Sequence, residues 1–264
     1  MKTFLKNIFS KFRHRFTTEN FNSKTTSIQA VAPFVTKSNR YKPDELSRFL
    51  NDNYRFRFNL LSEVTEYQSA HSTASEFTFL GEREMNTICI EAFNSGICCR
   101  DRDVKRYICS TYIETYHPFH MYLDRLPEWD GIDRMTDLSA RVSTQPYWKN
   151  CFHRWMLALT AQWMGLNRAI HANCTAPLLI STEQGRHKST FCKSLVPPSL
   201  QAYYTDQLDM SGGNSTEVKL ALMGLINLDE FDRLSVRKMA QLKNLMQMPS
   251  LNVRKAYKKN YCQL

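Results

Sequence analysis

The feature that most constrains the fold of this chain is a turn in its C-terminal half that joins an apolar segment to a helical pattern. The apolar segment spans residues 176–181, and the turn consists of Gln184, Gly185, Arg186, His187, Lys188, Ser189 and Thr190. A strand that turns directly into a helix aims unpaired backbone N–H groups at the turn, where an anion can bind. Lys188 would then reach phosphate as a point charge, and the Ser189 hydroxyl would be a Mg²⁺ ligand. The pattern predicts a nucleotide-binding strand, turn and helix.

The turn departs from the usual phosphate-binding pattern G-x-x-x-x-G-K-[ST] at both glycines. Thr182 stands at the first glycine position, and His187 stands directly before the lysine. A side chain at position 187 is expected to crowd the loop and to resist left-handed backbone angles. Taken alone, the segment fits a solvated basic turn at the start of a helix equally well.

A second apolar segment strengthens the nucleotide interpretation because it ends in two acids, Asp229 and Glu230. Ligands of open parallel sheets bind outside the carboxyl ends of the strands. Asp229 is therefore predicted to hold Mg²⁺ through water, and Glu230 to polarise the attacking water as the catalytic acid that works with Lys188. A strand that ends in a solvated acidic turn is the alternative. The strand–helix–strand order predicts an α/β fold with a parallel sheet, the core of a P-loop NTPase, over residues 126–264.

The preceding residues 41–125 are predicted to form a small, mostly helical α+β module. Alternating aromatic and basic residues at 54–60 indicate a strand, and apolar periodicity predicts helices at 82–93 and 101–111. Phe93 is expected on the inward face of the first of these helices. Downstream, an apolar helix is predicted at 147–166, and Trp129 is interpreted as a packing anchor.

The formal net charge of +10 favours a polyanionic partner, and nucleic acid is the partner that this balance indicates most directly. Near the C-terminus, cations alternate with tyrosines that could stack on bases. The four cations predicted to contact nucleic acid are Arg254, Lys255, Lys258 and Lys259. An exposed edge strand protected by lysines is the open alternative. Residues 1–40 are predicted to be a basic, disordered arm, with an amphipathic helix on an anionic surface as the alternative.

Cysteine usage and hydropathy indicate in which compartment of the cell the protein is expected. The eight cysteines include no CxxC pair, so the sequence predicts reduced thiols in the cytoplasm and no structural zinc. The N-terminus is interrupted by charge too often for a signal-peptide core, and no apolar run is long enough to span a bilayer. Stable membrane insertion is therefore not expected.

Three segments together resemble the virulence-associated protein E family. They are Leu126-Pro127-Glu128-Trp129-Asp130-Gly131, then Gln184-Gly185 with Lys188-Ser189-Thr190-Phe191, and Leu228-Asp229-Glu230-Phe231-Asp232. The resemblance covers roughly residues 45–264. Members of this family are P-loop ATPases of phages and mobile elements, similar to primase-helicases and to superfamily 3 helicases.

The resemblance implies ATP and Mg²⁺ as cofactors, DNA as a partner and a homo-oligomeric ring in full-length relatives. It places Lys188 at the phosphate lysine, Ser189 at the Mg²⁺ hydroxyl, Asp229 at the Walker-B aspartate and Glu230 at the catalytic acid. The family continues beyond the basic segment into a further core strand with a polar sensor residue and then an arginine finger. Because this chain ends at Leu264, its sheet core is expected to be incomplete.

Two functions follow as hypotheses. The first is a P-loop ATPase fragment of a replicative helicase, in which ATP hydrolysis is coupled to DNA. The second is a DNA-binding or partner-binding remnant that no longer hydrolyses ATP. Phosphoryl transfer to a nucleic-acid end is disfavoured, because the sequence offers no base that would activate an acceptor.

Overall fold

The fold was analysed in a computed structural model of the chain. The chain divides between Arg40 and Tyr41 into two units, and the described residues belong to the second. These residues are 41–72, 76–165, 174–208, 214–229, 231 and 234–248, with the backbone of two short strands at 252–253 and 262–263. The basic arm predicted at 1–40 lies outside them.

The first half of the described chain wraps three helices against a four-stranded sheet. Its elements are α1 (Pro43–Asn53), β1 (Tyr54–Asn59), β2 (Val64–Ser69), β3 (Thr78–Phe79), α2 (Glu82–Asn94), α3 (Asp101–Ile108) and β4 (Glu114–Tyr116). The strand order is β3-β2-β1-β4, in which β1 runs antiparallel to β2 and parallel to β4. The strand predicted at 54–60 and the helices predicted at 82–93 and 101–111 are confirmed within a few residues.

The core of this half is apolar and is built from all three helices. Its buried residues include Leu46 and Leu50 of α1, Ile88 and Ala92 of α2, and Val104 and Ile108 of α3. Burial of a leucine, isoleucine or valine side chain of this kind stabilises the fold by roughly 1.5–3 kcal/mol. The inward position predicted for Phe93 is wrong, since its side chain is exposed. Ala92 occupies the core position instead. Because successive residues of a helix are about 100° apart, Phe93 points away from the core.

The second half of the described chain contains more helix than sheet. Its elements are α4 (Pro118–Asp124), α5 (Arg134–Ala140), α6 (Pro146–Trp163), α7 (Lys188–Ser194), a 3-10 helix (Pro198–Tyr203), β5 (Tyr204–Thr205), α8 (Asn214–Leu222), β6 (Leu225–Ile226), α9 (Val236–Gln247), β7 (Asn252–Val253) and β8 (Cys262–Gln263). β5 and β6 pair in parallel, and β7 and β8 pair antiparallel. The described chain is therefore a mixed helix-and-sheet protein, as the predicted α/β class requires, and it carries short strands.

A buried asparagine connects the two halves. Asn59, at the end of β1, is almost fully buried, and its Nδ2 donates to the hydroxyl groups of Tyr203 at 2.8 Å and Tyr116 at 3.0 Å. Its Oδ1 accepts the backbone N–H groups of Leu61 and Ser62. A buried amide that uses its donor and acceptor atoms in this way contributes to a unique packing arrangement. Through this hydrogen bond, the sheet of the first half is linked to Tyr203, the residue directly before β5.

Two sequence-based predictions in the second half are wrong. The segment 176–181 forms no strand, and its apolar side chains Leu178 and Ile180 are 58% and 82% exposed. Among the described residues, this segment joins none of the three sheets, so it lacks the hydrogen-bonded ladder that defines a strand. Trp129 is not a packing anchor, because its ring is 78% exposed and its indole N–H donates to the carbonyl of Ile132 within the same turn.

Candidate functional site

The loop before α7 is shaped first by hydrogen bonds of its own side chains. The Ser181 hydroxyl accepts the backbone N–H of Glu183 at 3.2 Å and donates to the Glu183 carbonyl at 3.0 Å. The Glu183 carboxylate then pairs with the Arg186 guanidinium at 2.5 Å, with Gln184 and Gly185 between them in the chain. Both side chains of this ion pair are exposed, so the pair contributes little free energy but closes the loop into a tight turn.

The backbone φ angle of the loop changes sign from residue to residue between positions 185 and 188. Gly185 has a φ of 76°, His187 has φ 53° and ψ 29°, and Arg186 between them is not among the residues with positive φ. Such alternation points successive N–H groups to one side and produces a concave surface that binds anions. The expectation that His187 would resist left-handed angles is wrong. Histidine is among the non-glycine residues that adopt this conformation most often.

Helix α7 begins directly after this turn and is anchored by an aromatic contact. The His187 carbonyl accepts the N–H of Phe191 at 2.9 Å, which forms the first helical hydrogen bond. The Phe191 ring packs against Phe152 of α6, with ring centroids 6.0 Å apart. Lys188 and Ser189 are half-buried, whereas Gln184, Arg186 and Thr190 are exposed. The first turn of the helix is thereby held in place while the loop faces solvent.

The two predicted halves of the site meet in the structure. The Ser189 hydroxyl donates to Oδ2 of Asp229 at 3.0 Å, although the two residues lie 40 positions apart in the chain. Asp229 is exposed in the turn that follows β6. The parallel pairing of β5 with β6 sets its position: Gly224 N–H donates to the Tyr203 carbonyl, and Asn227 N–H to the Thr205 carbonyl, both at 2.8 Å.

Sequence reasoning did not identify two residues near Asp229, Tyr204 and Cys192, or the partner of Tyr204, Asn227. The Asn227 side chain donates a hydrogen bond to the phenol of Tyr204, whose pKa is raised chiefly by burial. Burial, and then the nearby charge of Asp229, raise the pKa of the Cys192 thiol. The thiol therefore stays protonated at neutral pH and adds no negative charge beside Asp229. A polar Asn227 inside an otherwise apolar run was the signal that could have drawn attention to this position.

The oxygen atoms at this meeting point suit a hard cation. A serine hydroxyl and an aspartate carboxylate within 3.0 Å of each other are the types of donor that Mg²⁺ prefers. Apart from Gly185 and its two chain neighbours, no atom of the described residues lies within 4 Å of the position that a Cβ on Gly185 would take, so the loop has space on this side. Glu230, Arg254, Lys255, Lys258 and Lys259 lie outside the described residues, and their predicted roles stay predictions.

These features define a class of mixed α/β protein in which a left-handed turn, a short helix and the end of a neighbouring strand converge on a Ser–Asp pair. The chain belongs to the family of virulence-associated protein E-like domains, whose family model matches residues 123–264. The match contains both sides of the site, and the family suspected from the sequence is confirmed. A search of curated proteins found no match. Of the helices that the structure describes, none has the length and apolar character needed to cross a membrane.

Proposed function

We propose that this chain binds ATP with Mg²⁺ between the loop 184–190 and Asp229, and that it hydrolyses the bound ATP. The observation that carries the proposal is the 3.0 Å contact between Ser189 and Asp229. It brings a hydroxyl at the first turn of a helix to a carboxylate at the end of a parallel strand, which is where α/β proteins bind phosphorylated ligands. Membership of the virulence-associated protein E-like family supports the same conclusion.

Each residue of the proposed site has a role that follows from its chemistry. Backbone N–H groups of the loop 184–188 bind phosphate oxygens, and the Lys188 ammonium neutralises the terminal phosphates. Ser189 and Asp229 would hold Mg²⁺, which supplies charge neutralisation of the β- and γ-phosphate oxygens when it is bound. Glu230 orients and polarises the water that attacks the γ-phosphate. Catalysis rests on positioning and charge rather than on a covalent enzyme intermediate.

The cellular role we propose is that of a helicase-type ATPase of a mobile element, with hydrolysis coupled to movement on DNA. The net charge of +10 supports a polyanionic partner. The cations Arg254, Lys255, Lys258 and Lys259 are the proposed contacts of the ATPase domain with the phosphate backbone. Assembly into a ring would let one subunit complete the site of its neighbour.

Replacement of Asp229 by asparagine tests the metal side of the proposal. Asp229→Asn keeps the size of the side chain but removes the negative charge beside Ser189. We expect the Mg²⁺ concentration needed for half-maximal binding of a fluorescent ATP analogue to rise by roughly tenfold or more, since the loss of a residue that supports a bound metal typically costs 10–100-fold in affinity. Asp137→Asn, on helix α5, removes an equal charge elsewhere and should leave the Mg²⁺ dependence unchanged. Equal Mg²⁺ dependence in all three proteins would contradict the proposal.

The second candidate function is a nucleotide-binding or DNA-binding protein that no longer hydrolyses ATP. The observation that favours it is the exposed segment 176–181, which joins no described sheet beside the site. Release of inorganic phosphate separates the two candidates. We expect steady release by the purified chain with ATP, Mg²⁺ and DNA, and its loss in Glu230→Gln with analogue binding retained. If the unchanged chain binds the analogue but releases no phosphate above background, the second function is correct.

A further inference from the structure

Helices α2 and α3 are consecutive in the chain, share the core of the first half and take no part in the proposed nucleotide site. The linker between them spans residues 95–100, and Gly96 in it has a φ of 76°. Helix α2 closes with hydrogen bonds from Gly96 N–H to the Phe93 carbonyl at 3.0 Å and from Ile97 N–H to the Ala92 carbonyl at 3.1 Å. A left-handed glycine just after the last turn is a common way to end a helix. At six residues, this linker is longer than the three- or four-residue turn of an ordinary helix–turn–helix motif.

The second of these helices, α3, is fixed from beneath. Asp103, Val104 and Ile108 of α3 are buried, and the two apolar residues join the core formed with α1 and α2. Asp103 also accepts the backbone N–H of Arg100 at 3.1 Å, which caps the start of the helix. The orientation of α3 is thus set by packing and by its cap, which determines the side of the helix that faces solvent.

The outer face of α3 is basic. Arg102, Lys105 and Arg106 follow the spacing i, i+3, i+4 of one helical face and are exposed, as is Cys109 directly after the helix. Arg102 and Arg106 expose 65% and 69% of their side chains. Arg106 donates to the buried Asp103 at 3.2 Å, which orients its guanidinium without covering it.

Cations outnumber acids on this exposed surface. Arg100 adds a fourth exposed cation at the start of the helix, and Asp101 is the exposed acid of α3. The other acid of the helix, Asp103, faces inward and is nearly covered. A surface of this kind attracts the phosphate backbone of a nucleic acid.

We propose that α3 is a DNA-recognition helix and that its outer face binds duplex DNA in the major groove. An α-helix with its side chains is about 10–12 Å across, and the major groove of B-form DNA is about 12 Å wide and admits such a helix. Arginine side chains on such a helix bind guanine edges or phosphates through paired hydrogen bonds. Insertion of this kind requires B-form DNA, because the major groove of duplex RNA is too narrow for a helix. The site is separate from the loop 184–190 and does not depend on ATP hydrolysis.

The test measures fluorescence anisotropy of a labelled DNA duplex of random sequence titrated with the full chain at several salt concentrations, without nucleotide. Arg102→Ala combined with Lys105→Ala removes two cations of the outer face. It also removes the 4.0 Å contact of Arg102 with Asp103 but leaves the shorter Arg106–Asp103 pair, at 3.2 Å, in place. We expect affinity to fall by roughly tenfold or more, and the slope of log affinity against log salt to shrink by about 2, close to one unit for each lost phosphate contact. The matched control combines Arg48→Ala with Arg83→Ala, two exposed cations on α1 and α2 of the same module, and should change both quantities much less.

Three results would overturn the inference. One is an unchanged affinity and slope in the α3 variant, and another is an equal loss in the control, since either shows that the face makes no specific contact. The third is equal competition by duplex RNA of the same sequence. The outcome is separable from the proposed ATPase function: Lys188→Ala should bind the duplex as the unchanged chain does. If the unchanged chain fails to bind the ATP analogue while duplex binding still depends on Arg102 and Lys105, the ATPase proposal fails and this inference stands.

Discussion

Replacement of Lys188 by alanine is expected to weaken binding of a fluorescent ATP analogue by roughly a hundredfold, because an ammonium–phosphate contact contributes up to about 3 kcal/mol. Lys188 is the first residue of helix α7 and follows the left-handed turn at His187. In the proposed site its ammonium group, which carries a full positive charge, contacts the terminal phosphates of ATP. The alanine variant keeps the backbone N–H groups of the loop, so the expected loss isolates the contribution of the side chain.

The control for Lys188→Ala lies on the same helix. Lys193 is an exposed residue near the end of α7, and its carbonyl accepts a hydrogen bond from Gln201 that alanine would preserve. Lys193→Ala carries the same change of charge, and we expect its affinity for the analogue to stay within about twofold of the unchanged chain. Titration of all three proteins at one Mg²⁺ concentration gives the comparison. Equal affinities in the unchanged chain and in Lys188→Ala would refute the proposed nucleotide site.

Much of the first half was predictable because its signals are local. Pro43 opens α1, alternation of aromatic and basic residues marks β1, and apolar spacing marks α2 and α3. These patterns depend on residues within one or two turns of each other. The approach of Ser189 to Asp229 was also expected from sequence. A helix N-terminus and a strand end that bind the same ligand must lie close together in a parallel α/β arrangement.

The features that sequence reasoning missed depend on partners far away in the chain. The segment 176–181 has the apolar character of a buried strand, but a strand exists only when another strand pairs with it. The contact of Asn227 with Tyr204 requires the register in which Tyr204 lies opposite Leu225. The left-handed angles of His187 could not be read from its residue type, because histidine tolerates this conformation without requiring it and the path of the loop into α7 decides.

Gly224 directly precedes β6, and its replacement by alanine is expected to destabilise the fold by about 1–3 kcal/mol. A Cβ at this position would lie 2.3 Å from Cζ and 2.7 Å from Cε1 of Phe119. The Phe119 ring cannot move aside, because it is 3% exposed and packs against Trp163 and Tyr203 with ring centroids 4.8 and 5.3 Å away. Gly224 is not among the glycines with positive φ, so alanine brings crowding without backbone strain. For a chain of this size we expect Tm to fall by roughly 5 °C, as measured by circular dichroism.

A double-mutant cycle separates crowding at Gly224 from other causes. Phe119→Leu alone should destabilise the fold, because it leaves a cavity beside Trp163. In Gly224→Ala combined with Phe119→Leu, the new methyl group enters the space that the ring vacates, so the combined loss of stability should be clearly smaller than the sum of the two single losses. Additive losses would show that the ring is not what excludes a side chain at position 224. Gly224 N–H also donates to the Tyr203 carbonyl, so displacement of β6 in the single variant should move Asp229 away from Ser189. We therefore expect Gly224→Ala to raise the Mg²⁺ concentration needed for analogue binding. Addition of Phe119→Leu should lower that concentration part of the way back.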